Sequence, residues 1–456
     1  MFKPLSFSEL LVVLDARLVG ADCTFDGVSI DSRAIAPRQL FVALTGPRFD
    51  GHDYLDQVAA KGAVGALVER EVPGSTLPQL VVVDTRKALA QLGAINRNAF
   101  VDKPVAAITG SSGKTTVKEM LASIMRTRGA VLATKGNLNN ELGVPLTLLE
   151  LAPQYSAAVI ELGASRVGEI AFTVSLTKPH VAVITNAGTA HVGEFGGPEK
   201  IVEAKGEILE GLDSTGVAVL NKEDKAFSIW SARARDRKVV SFAIADQGAD
   251  FHAQGLTLDA RGCPGFTLCS PAGSAAVQLN LLGAHNVANA LAAAAAGHAL
   301  GVTLDGIVAG LNSVTPVKGR TVAQLALNGL RVIDDTYNAN PTSVNAAVDI
   351  LTGFAGRTVL VLGDIGELGD WAEQGHRDVG SYAAGKVSAL YAVGPLMAHA
   401  VDAFGEHARH FANQTDLIAA LGAEQDPNTT ILIKGSRSAA MENIVAALCG
   451  SSLEKH

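Results

Sequence analysis

The sequence predicts an α/β protein built from three domains. Its 456 residues exceed the roughly 100 to 200 residues of one ordinary domain, so two to four domains are expected. Charged residues make up 18% and hydrophobic residues 48% of the chain, and alanine and glycine are abundant, which suits packed α/β layers. Apolar strands alternate with helical segments, as in parallel sheets covered by helices on both faces.

Residues 1–103 predict a small α/β domain. Four short runs have β-type composition: "VSIDSR", "QLFVAL", "GALVE" and "LVVVD". Helical stretches lie near residues 54–61 and 86–99. The segment "FVDKP" then interrupts the alternation of helical and β-type segments, because Pro104 ends any helix that precedes it. We therefore expect a domain boundary at this point.

Residues 104–315 predict a central, doubly wound, P-loop ATPase-like domain. Its strands are continuous apolar runs that end in small or polar residues: "VAAITG", "AAVIELG", "VAVITN" and "GVAVLN". Such runs are typical of strands buried on both faces of a parallel sheet. Between about residues 237 and 282 the runs become shorter and rich in turns, which indicates a β-rich annex. A helix is expected from about His285 to Leu300.

Residues 316–456 predict a C-terminal, Rossmann-like domain. Four strands are expected at "RVIDD", "RTVLVLGD", "VSALYAVG" and "TTILIKGS", with helical segments between them. This alternation fits repeated βαβ units.

Composition excludes several classes of protein. A formal net charge of −8 argues against a nucleic-acid binder, which would normally carry a basic stripe. The longest apolar runs fall short of the roughly 20 residues of a membrane span, so no membrane insertion is expected. The four cysteines lack the spacing of a zinc site and are expected as free thiols. Charges interrupt the N-terminal apolar stretch, which argues against a signal peptide, so we expect a cytoplasmic protein.

The segment "AITGSSGKTTVKEML", residues 107–121, is the strongest functional motif. A buried strand leads into a glycine-rich loop and then a helix, where backbone N–H groups converge on an anion. Gly110 and Gly113 allow close approach to phosphate, Lys114 supplies a charge, and the Thr115 hydroxyl suits Mg²⁺. The spacing is short, since Ile108 stands where the general pattern has glycine. A chance glycine-rich turn is the alternative, but the flanking strand and helix favour nucleotide binding.

Two neighbouring strands of this domain end in polar residues, where ligands gather in open α/β sheets. Glu161 ends one strand and could reach a Mg²⁺ held by Thr115. Asn186 ends another, and His191 follows five residues later. A lone histidine is more often structural than a ligand, but this position favours a functional role.

Two further features allow more than one interpretation. Lys205 lies in an acidic helix, where spacing alone favours a solvated partner for a glutamate. His285, Asn286 and Asn289 begin a helix that is otherwise rich in alanine. These amides could cap the helix or contact a nucleotide base, and the pattern leaves both open.

Seven motifs in the same order resemble the Mur ligases, the ATP-dependent amide-forming enzymes of peptidoglycan precursor synthesis. They are "TGSSGKT", "ELG", "NAGTAHVGEFG", "EAKGEI", "GAHNVANALAA", "VKGR" and "DDTYNANPTS". The segments 136–149 and 334–343 resemble the branch that joins D-alanyl-D-alanine to UDP-N-acetylmuramoyl-tripeptide. A folylpolyglutamate-synthase-like ligase is a distant alternative, because it lacks the UDP-binding first domain. A non-catalytic nucleotide-binding regulator is the alternative from another class.

The resemblance implies ATP and Mg²⁺ as cofactors and assigns roles to individual residues. It implies that the ATP phosphates are bound by Gly110, Ser111, Ser112, Gly113, Lys114, Thr115 and Thr116. One Mg²⁺ would be held by Thr115 and Glu161, and a second metal site would include His191 and a carbamoylated Lys205. Adenine would face Asn286 and Asn289, and the γ-phosphate would face Arg320. Asp335 would contact the nucleotide on domain closure, and Lys114, Lys205, His191 and Arg320 would be the catalytic residues.

The resemblance also implies where the other substrates bind. The UDP-substrate would contact residues of the first domain and the segment after the P-loop: Ser32, Arg33, Thr45, Gly46, Asp50, Gly51, His52, Asn139 and Asn140. An ordinary turn-rich β segment is the alternative for the first-domain residues. The dipeptide would lie near Tyr337, Asn338 and Asn340, with "KGSRS" at 434–438 as a further candidate. We expect a monomer whose domains close over an acyl phosphate.

Overall fold

The computed structural model describes residues 1–188, 192–259, 261–424 and 426–450. Three sheets of five, nine and six strands follow one another along these residues, and each lies within one predicted domain. The predicted three-domain α/β fold is therefore confirmed. No helix within these ranges is long and apolar enough to cross a membrane.

The first domain contains a five-stranded sheet in the order β2-β7-β6-β5-β4, in which only β2 is antiparallel to its neighbour. Its elements are β1 (Leu5–Ser6), α1 (Phe7–Leu10), β2 (Arg17–Val19), β3 (Thr24–Phe25), β4 (Gly27–Ser29), β5 (Gln39–Val42), α2 (Leu55–Ala60), β6 (Gly65–Val68), β7 (Gln79–Val81) and α3 (Thr85–Asn98). Strands β1 and β3 form a separate pair. Asp84 caps α3 by accepting from the backbone N–H groups of Arg86 and Lys87.

The central domain is a nine-stranded sheet in the order β16-β15-β14-β13-β12-β11-β8-β10-β9. Its first half comprises β8 (Val105–Thr109), α4 (Lys114–Arg126), β9 (Val131–Ala133), α5 (Gly143–Leu149), β10 (Ala157–Glu161), α6 (Glu169–Thr177) and β11 (Val181–Ile184). Its second half comprises α7 (Val192–Phe195), α8 (Pro198–Gly206), β12 (Val217–Asn221), α9 (Phe227–Ala234), β13 (Lys238–Ala243), β14 (Phe251–Leu258), β15 (Pro264–Ser270), β16 (Gly273–Gln278), α10 (His285–Ala299) and α11 (Leu304–Ser313).

The β-rich annex is part of the central sheet. Strand β14 pairs in parallel with β13, and β15 and β16 continue the sheet as antiparallel strands. The alanine-rich helix α10 packs against α4 and this sheet, with residues 292–296 fully buried. Small side chains allow this close helix packing, which explains the composition that the sequence shows.

The C-terminal domain is a six-stranded sheet in the order β17-β18-β22-β19-β20-β21, parallel except for the edge strand β17. Its elements are β17 (Val322–Leu325), β18 (Arg331–Asp335), α12 (Pro341–Thr352), β19 (Thr358–Gly363), α13 (Ala372–Ala383), β20 (Ala389–Val393), α14 (Met397–Phe404), β21 (Ala408–Phe411), α15 (Gln414–Gly422), β22 (Thr430–Lys434) and α16 (Glu442–Cys449). The predicted strands are present. Across the three domains, the short strands β1, β2, β3, β9, β17 and β21 were not among them.

The first and central domains meet through buried polar side chains of α3. The Asn96 amide donates to the backbone oxygens of Leu148 and Leu151 at 2.8 and 2.9 Å. The Arg97 guanidinium donates to the backbone oxygens of Thr177 and Lys178 at 2.7 and 2.8 Å. These bonds satisfy carbonyls at the ends of central-domain helices, so they stabilise this interface.

The central and C-terminal domains also contact each other. One apolar cluster contains Val192, Phe195 and Ile201 of the central domain together with Ile365 and Leu368 of the C-terminal domain. At its edge, a Cβ atom on Gly193 would lie 2.5 Å from the backbone nitrogen of Gly369. The two backbones therefore cross at a distance that only glycine permits.

Candidate active site

The phosphate-binding loop connects β8 to α4 and has the backbone conformation that its glycines require. Gly110 has a φ of 146° and Gly113 a φ of 82°, values that side chains with a Cβ rarely adopt. A Cβ on Gly113 would also collide with the side-chain oxygen of Asn289. Helix α4 begins at Lys114, so its free N–H groups point into the loop.

The end of β11 holds the loop in shape. The backbone N–H groups of Ser111 and Ser112 donate to the backbone oxygen and side-chain Oδ1 of Asn186, both at 3.0 Å. The Thr185 hydroxyl and the Asn186 amide donate to the backbone oxygen of Ser112 at 2.6 and 3.1 Å. Asn186 thus acts as a scaffold for the loop, a function that its position at a strand end did not reveal.

Lys114 contacts the loop itself. Its Nζ donates to the backbone oxygens of Gly110 and Ser111 at 2.7 and 3.4 Å. Burial lowers the pKa of Lys114, the Glu161 carboxylate opposes that shift, and the Arg320 guanidinium adds to it. A phosphate would offer this ammonium stronger, charged acceptors than the carbonyls.

Glu161 lies at the end of β10 with one carboxylate oxygen unsatisfied. Its Oε1 accepts from the Asn139 amide at 2.9 Å, whereas its Oε2 is buried and has no hydrogen-bond partner. A buried acceptor without a partner is costly, and hard cations prefer oxygen ligands such as carboxylates and hydroxyls. Glu161 therefore fits a cation site. Asn140 has a local role, because its Oδ1 accepts from the backbone N–H groups of Leu142 and Gly143 at the start of α5.

Lys205 is buried near the end of α8. Its Nζ lies 5.1 Å from the centre of the Phe195 ring. Burial, followed by repulsion from Lys114, lowers the pKa of Lys205 to about 7, and the glutamates Glu207 and Glu169 oppose this shift. The interpretation as a solvated surface partner, which spacing alone favours, is wrong. His191 lies outside the described residues.

The amides at the start of α10 bond mainly to their own helix. The Asn286 amide donates to the backbone oxygen of Leu282, and the Asn289 amide donates to Asn286 Oδ1, both at 2.8 Å. Neither side chain accepts from the helix N-terminus as a cap, and the cap position is Ala284. Asn289 lies against Gly113, so its oxygen contacts the phosphate-binding loop. The adenine contact proposed for both amides stays a prediction.

Residues of the C-terminal domain reach the same loop. Arg320 donates through Nη2 to the Thr115 hydroxyl at 3.2 Å, and its guanidinium stacks 4.0 Å from the centre of the Tyr337 ring. Asn340 donates to the Ser112 hydroxyl at 3.3 Å and also caps helix α12. Two predicted site residues thus meet the P-loop across the domain interface.

Asp335 ends β18 within a small polar network. Its Oδ1 accepts from the Thr321 hydroxyl at 3.3 Å, and its Oδ2 accepts from Lys434 Nζ at 2.6 Å. Lys434 also donates to the backbone oxygen of Asn338 at 2.9 Å. Asn338 Oδ1 accepts from the backbone N–H of Arg437 at 3.3 Å. The structure therefore brings the "DDTYNANP" and "KGSRS" segments together.

The predicted residues of the first domain form two local clusters. Arg33 pairs with Asp31 at 2.9 Å while remaining exposed, and the backbone oxygens of Ser32 and Arg33 accept from Lys61 at 2.9 and 2.8 Å. Arg33 is therefore accessible to an anion.

The second cluster, residues 45–52, is bonded within itself. The Thr45 hydroxyl donates to Asp50 Oδ1 at 3.4 Å, and a Cβ on Gly46 would press on the Phe49 ring. His52 is buried, and its Nε2 accepts from the backbone N–H of Glu69, so its Nδ1 carries the proton that it donates to Asp50 at 2.6 Å. Hydrogen bonding from Arg70 is the largest cause that lowers the pKa of Asp50.

A Cβ on Gly51 would lie 2.7 Å from the backbone nitrogen of Leu44, so Gly51 serves the packing of this turn. The bonds within residues 45–52 account for the turn, and the substrate contacts proposed for these residues stay predictions.

One supporting residue near the site had no signal in the sequence. Lys118 is buried on α4, one turn beyond Lys114, and donates to the backbone oxygen of Thr134 at 2.6 Å. The Thr134 hydroxyl accepts from the backbone N–H of Glu161 at 2.9 Å. Lys118 thereby holds the segment that leads to Asn139. Only a helical period of four from Lys114 could have suggested it.

Sequence comparison finds three domains of one family in chain order. The Mur ligase family catalytic domain matches residues 24–97, the Mur ligase middle domain residues 108–297, and the Mur ligase glutamate ligase domain residues 319–437. The UDP-N-acetylmuramoyl-tripeptide--D-alanyl-D-alanine ligase of Escherichia coli (strain K12) is 47% identical over 448 residues, which cover 97% of this chain and 98% of the relative.

Solved structures agree with this result. A crystal structure of MurF from Acinetobacter baumannii matches with a TM-score of 0.93 and 40% identity over 99% of this chain and all of that one. A second crystal structure of the same protein gives a TM-score of 0.87 at 40% identity. MurF ligase from Thermotoga maritima in complex with ADP matches with a TM-score of 0.83 and 27% identity over 92% of this chain and 96% of that one.

The likeness to the alternative family is weaker. Folylpolyglutamate synthase from Mycobacterium tuberculosis matches with a TM-score of 0.63 and 19% identity over 81% of this chain, which shows a shared fold alone. The resemblance read from the seven motifs is confirmed over the full length of the chain: the protein belongs to the Mur ligase family and is an ATP-dependent ligase.

Proposed function

We propose that the protein joins D-alanyl-D-alanine to UDP-N-acetylmuramoyl-tripeptide and converts ATP to ADP and phosphate. The observation that carries this proposal is the contact between Arg320 of the C-terminal domain and Thr115 of the phosphate-binding loop. It brings a guanidinium of one domain to the phosphate-binding loop of another, which supports a role in stabilising the charge that develops when a γ-phosphate is transferred. The choice of substrates rests on the full-length relatives. The reaction is the last cytoplasmic step towards the pentapeptide precursor of peptidoglycan.

The proposed reaction requires activation of a carboxylate, which does not condense with an amine in water. In a direct reaction with an amine, a free carboxylate would have to expel oxide as the leaving group. The tripeptide carboxylate instead attacks the γ-phosphorus, and ADP leaves. The amine of the dipeptide then attacks the acyl carbon, loses a proton, and expels phosphate. Lys114 and Arg320 neutralise the charge that develops on the transferring phosphoryl group, and the loop N–H groups orient it.

Mg²⁺ fits the oxygen ligands near the loop. The unsatisfied Oε2 of Glu161 and the hydroxyl of Thr115 would hold the ion, which would supply Lewis-acid polarisation of phosphate oxygens. Within the described residues, no group of three histidine, cysteine or acidic side chains could hold a metal. A second metal site would include His191 and a carbamoylated Lys205.

The pKa of Lys205 supports carbamoylation, because CO₂ reacts only with the neutral amine. With the pKa lowered to about 7, far more of the amine is neutral at pH 7 than for an ordinary lysine, and the neutral fraction falls as the pH drops. Enzyme prepared without CO₂ should regain activity when bicarbonate is added at pH 8 and less at pH 6. A Lys205→Arg variant should not respond, and mass spectrometry should find no carbamate in it. Equal recovery of both proteins would contradict this role.

We also propose substrate contacts for the predicted site residues outside the phosphate and metal sites. The uridine nucleotide would meet Ser32 and the exposed Arg33, and the peptide would approach Asn139, whose amide already bonds to Glu161. The dipeptide would lie between the central and C-terminal domains, near Tyr337 and Asn338. We retain 1–103, 104–315 and 316–456 as the proposed domain bounds, and propose a monomer.

Domain closure would keep the acyl phosphate from water. Two crystal structures of one relative match this chain to different degrees at equal identity, which supports domains that change their arrangement. Structures with and without an ATP analogue and the UDP-substrate should therefore differ in inter-domain angle. Identical angles would contradict closure.

Phosphate release tests the proposed reaction. ATP and UDP-N-acetylmuramoyl-tripeptide are mixed with the protein, with and without D-alanyl-D-alanine, and phosphate and ADP are measured. Release that requires the dipeptide is the expected result. Binding of ATP without ADP release would favour a nucleotide-binding regulator, and release with a folate and glutamate would favour the alternative ligase.

A further inference from the structure

Lys434 is a buried lysine at the end of β22 in the C-terminal domain. Only 4% of its side chain is exposed. Its Nζ donates to Asp335 Oδ2 at 2.6 Å and to the backbone oxygen of Asn338 at 2.9 Å. Burying an ammonium costs several kcal/mol unless charge and hydrogen bonds compensate, and these two acceptors supply that compensation.

Both acceptors belong to a segment that contacts Arg320 and its two neighbours in the chain. Asn338 follows Tyr337, whose ring stacks on the Arg320 guanidinium and whose backbone N–H donates to Gly319, the residue before that arginine, at 3.1 Å. Asp335 accepts from Thr321, the residue after Arg320, at 3.3 Å. Lys434 thus bonds to both ends of the 335–338 segment, and that segment contacts the residues on either side of the arginine.

We propose that Lys434 is a positioning residue that fixes Arg320 against the phosphate-binding loop. It acts through the β18 end and the Tyr337 loop and touches no substrate. This inference rests on the proposed function, since Arg320 is the group through which it acts. It assigns a role to the first residue of "KGSRS" that differs from dipeptide binding.

The geometry favours positioning over direct binding of a substrate. The ammonium is directed at a carboxylate and a backbone carbonyl of its own domain. Thr115, which Arg320 contacts, belongs to the other domain. An arginine that is held on both sides keeps one orientation, so less orientational freedom has to be lost when the phosphoryl group is transferred.

The test combines Lys434→Met with Arg320→Lys in a double-mutant cycle. Lysine at 320 keeps the charge but loses the planar stack on Tyr337. Lys434→Met alone should lower kcat about tenfold and change the KM for ATP less than about threefold, because an interaction of the transition state is lost. In the Arg320→Lys background the same change should lower kcat less than about twofold.

Matched variants keep the result interpretable. Lys103 also donates to two backbone oxygens, of Pro153 and Tyr155, at 2.6 and 2.5 Å, but lies away from the site. Lys103→Met should lower the melting temperature and leave kcat per folded molecule unchanged. If Lys434→Met does not fold, Lys434→Gln, which can still donate to Asn338, and Thr321→Val take its place in the cycle.

Two outcomes overturn the inference. Either kcat per folded molecule stays unchanged in Lys434→Met, or its loss multiplies fully with that of Arg320→Lys. Because the wild-type protein is measured in the same assay, failure of the proposed function is distinguished: the wild type would then release no phosphate that depends on the dipeptide.

Discussion

The two domain interfaces of this protein are built from different kinds of residue. Between the first and central domains, Asn96 and Arg97 bond to backbone carbonyls that have no part in the proposed chemistry. Between the central and C-terminal domains, two side-chain hydrogen bonds join proposed site residues to one another: Arg320 to Thr115, and Asn340 to Ser112. The first interface serves stability. The polar groups of the second interface are also proposed to bind the ligands, so we expect ligand binding to change the contacts of this interface.

The largest effect is expected where the site can be damaged without touching either interface. Within the described part of the chain, Lys114 donates its hydrogen bonds to carbonyls of its own loop, so Lys114→Met should lower kcat roughly a thousandfold while both interfaces persist. Phosphate release measures kcat, and thermal unfolding should show a melting temperature within a few degrees of the wild type. A variant that keeps more than a tenth of the activity would contradict the role of this ammonium.

The next effect tests the interface between the first and central domains. Arg97→Met removes donors to two carbonyls of the central domain and should lower the free energy of unfolding by about 2–4 kcal/mol, measured with denaturant. The kcat per folded molecule should stay within about twofold of the wild type. Arg86 provides the control, because it pairs with Glu141 across the same interface while exposed, and Arg86→Met should cost less than about 1 kcal/mol.

A smaller effect is expected from the stack at the second interface. Arg320→Lys should lower kcat about 10- to 100-fold, because charge remains but the stack on Tyr337 is lost. Small-angle scattering should show a more open average arrangement. Arg331, which stacks on Phe354 at 4.8 Å and away from the loop, is the matched control, and Arg331→Lys should change neither observable.

The smallest effect is expected from Asn340→Ala, and it tests whether helix capping or the contact between domains matters for activity. Asn340→Ala removes the cap of α12 and the contact with Ser112, so it should cost about 1 kcal/mol of stability and lower kcat severalfold. Asn413 caps α15 by accepting from the backbone N–H of Asp416. Asn413→Ala should cost a similar free energy and leave kcat unchanged. Equal kcat losses in the two variants would show that capping alone explains the effect.

The sequence predicted those parts of the molecule that are encoded locally. The loop from Gly110 to Thr116 lies within one strand–turn–helix unit, and Glu161 lies at a strand end, so both follow from short-range pattern and parallel-sheet topology. The three sheets followed from their apolar runs. Strands β17 and β21 did not, because they are edge strands with mostly accessible side chains and carry little apolar pattern.

Buried lysines were the main features that the sequence could not predict. Lys118 bonds to a carbonyl 16 residues away, and Lys434 to one 96 residues away. Each of these lysines bonds to a backbone oxygen, which every residue carries, so no residue type marks that partner. Lys205 was missed for a different reason: helical spacing favoured a solvated pair, but tertiary packing that includes the Phe195 ring buries the side chain. Burial of a charge is a property of tertiary structure.

The crossing of Gly193 and Gly369 has a practical consequence. A single methyl group at Gly193 would meet the backbone of the opposite domain at 2.5 Å. Gly193→Ala would therefore prevent the two domains from packing this closely. It would alter neither the phosphate-binding loop nor any charge of the site. Such a variant would separate the effect of domain closure from the effects of the residues proposed to bind ATP.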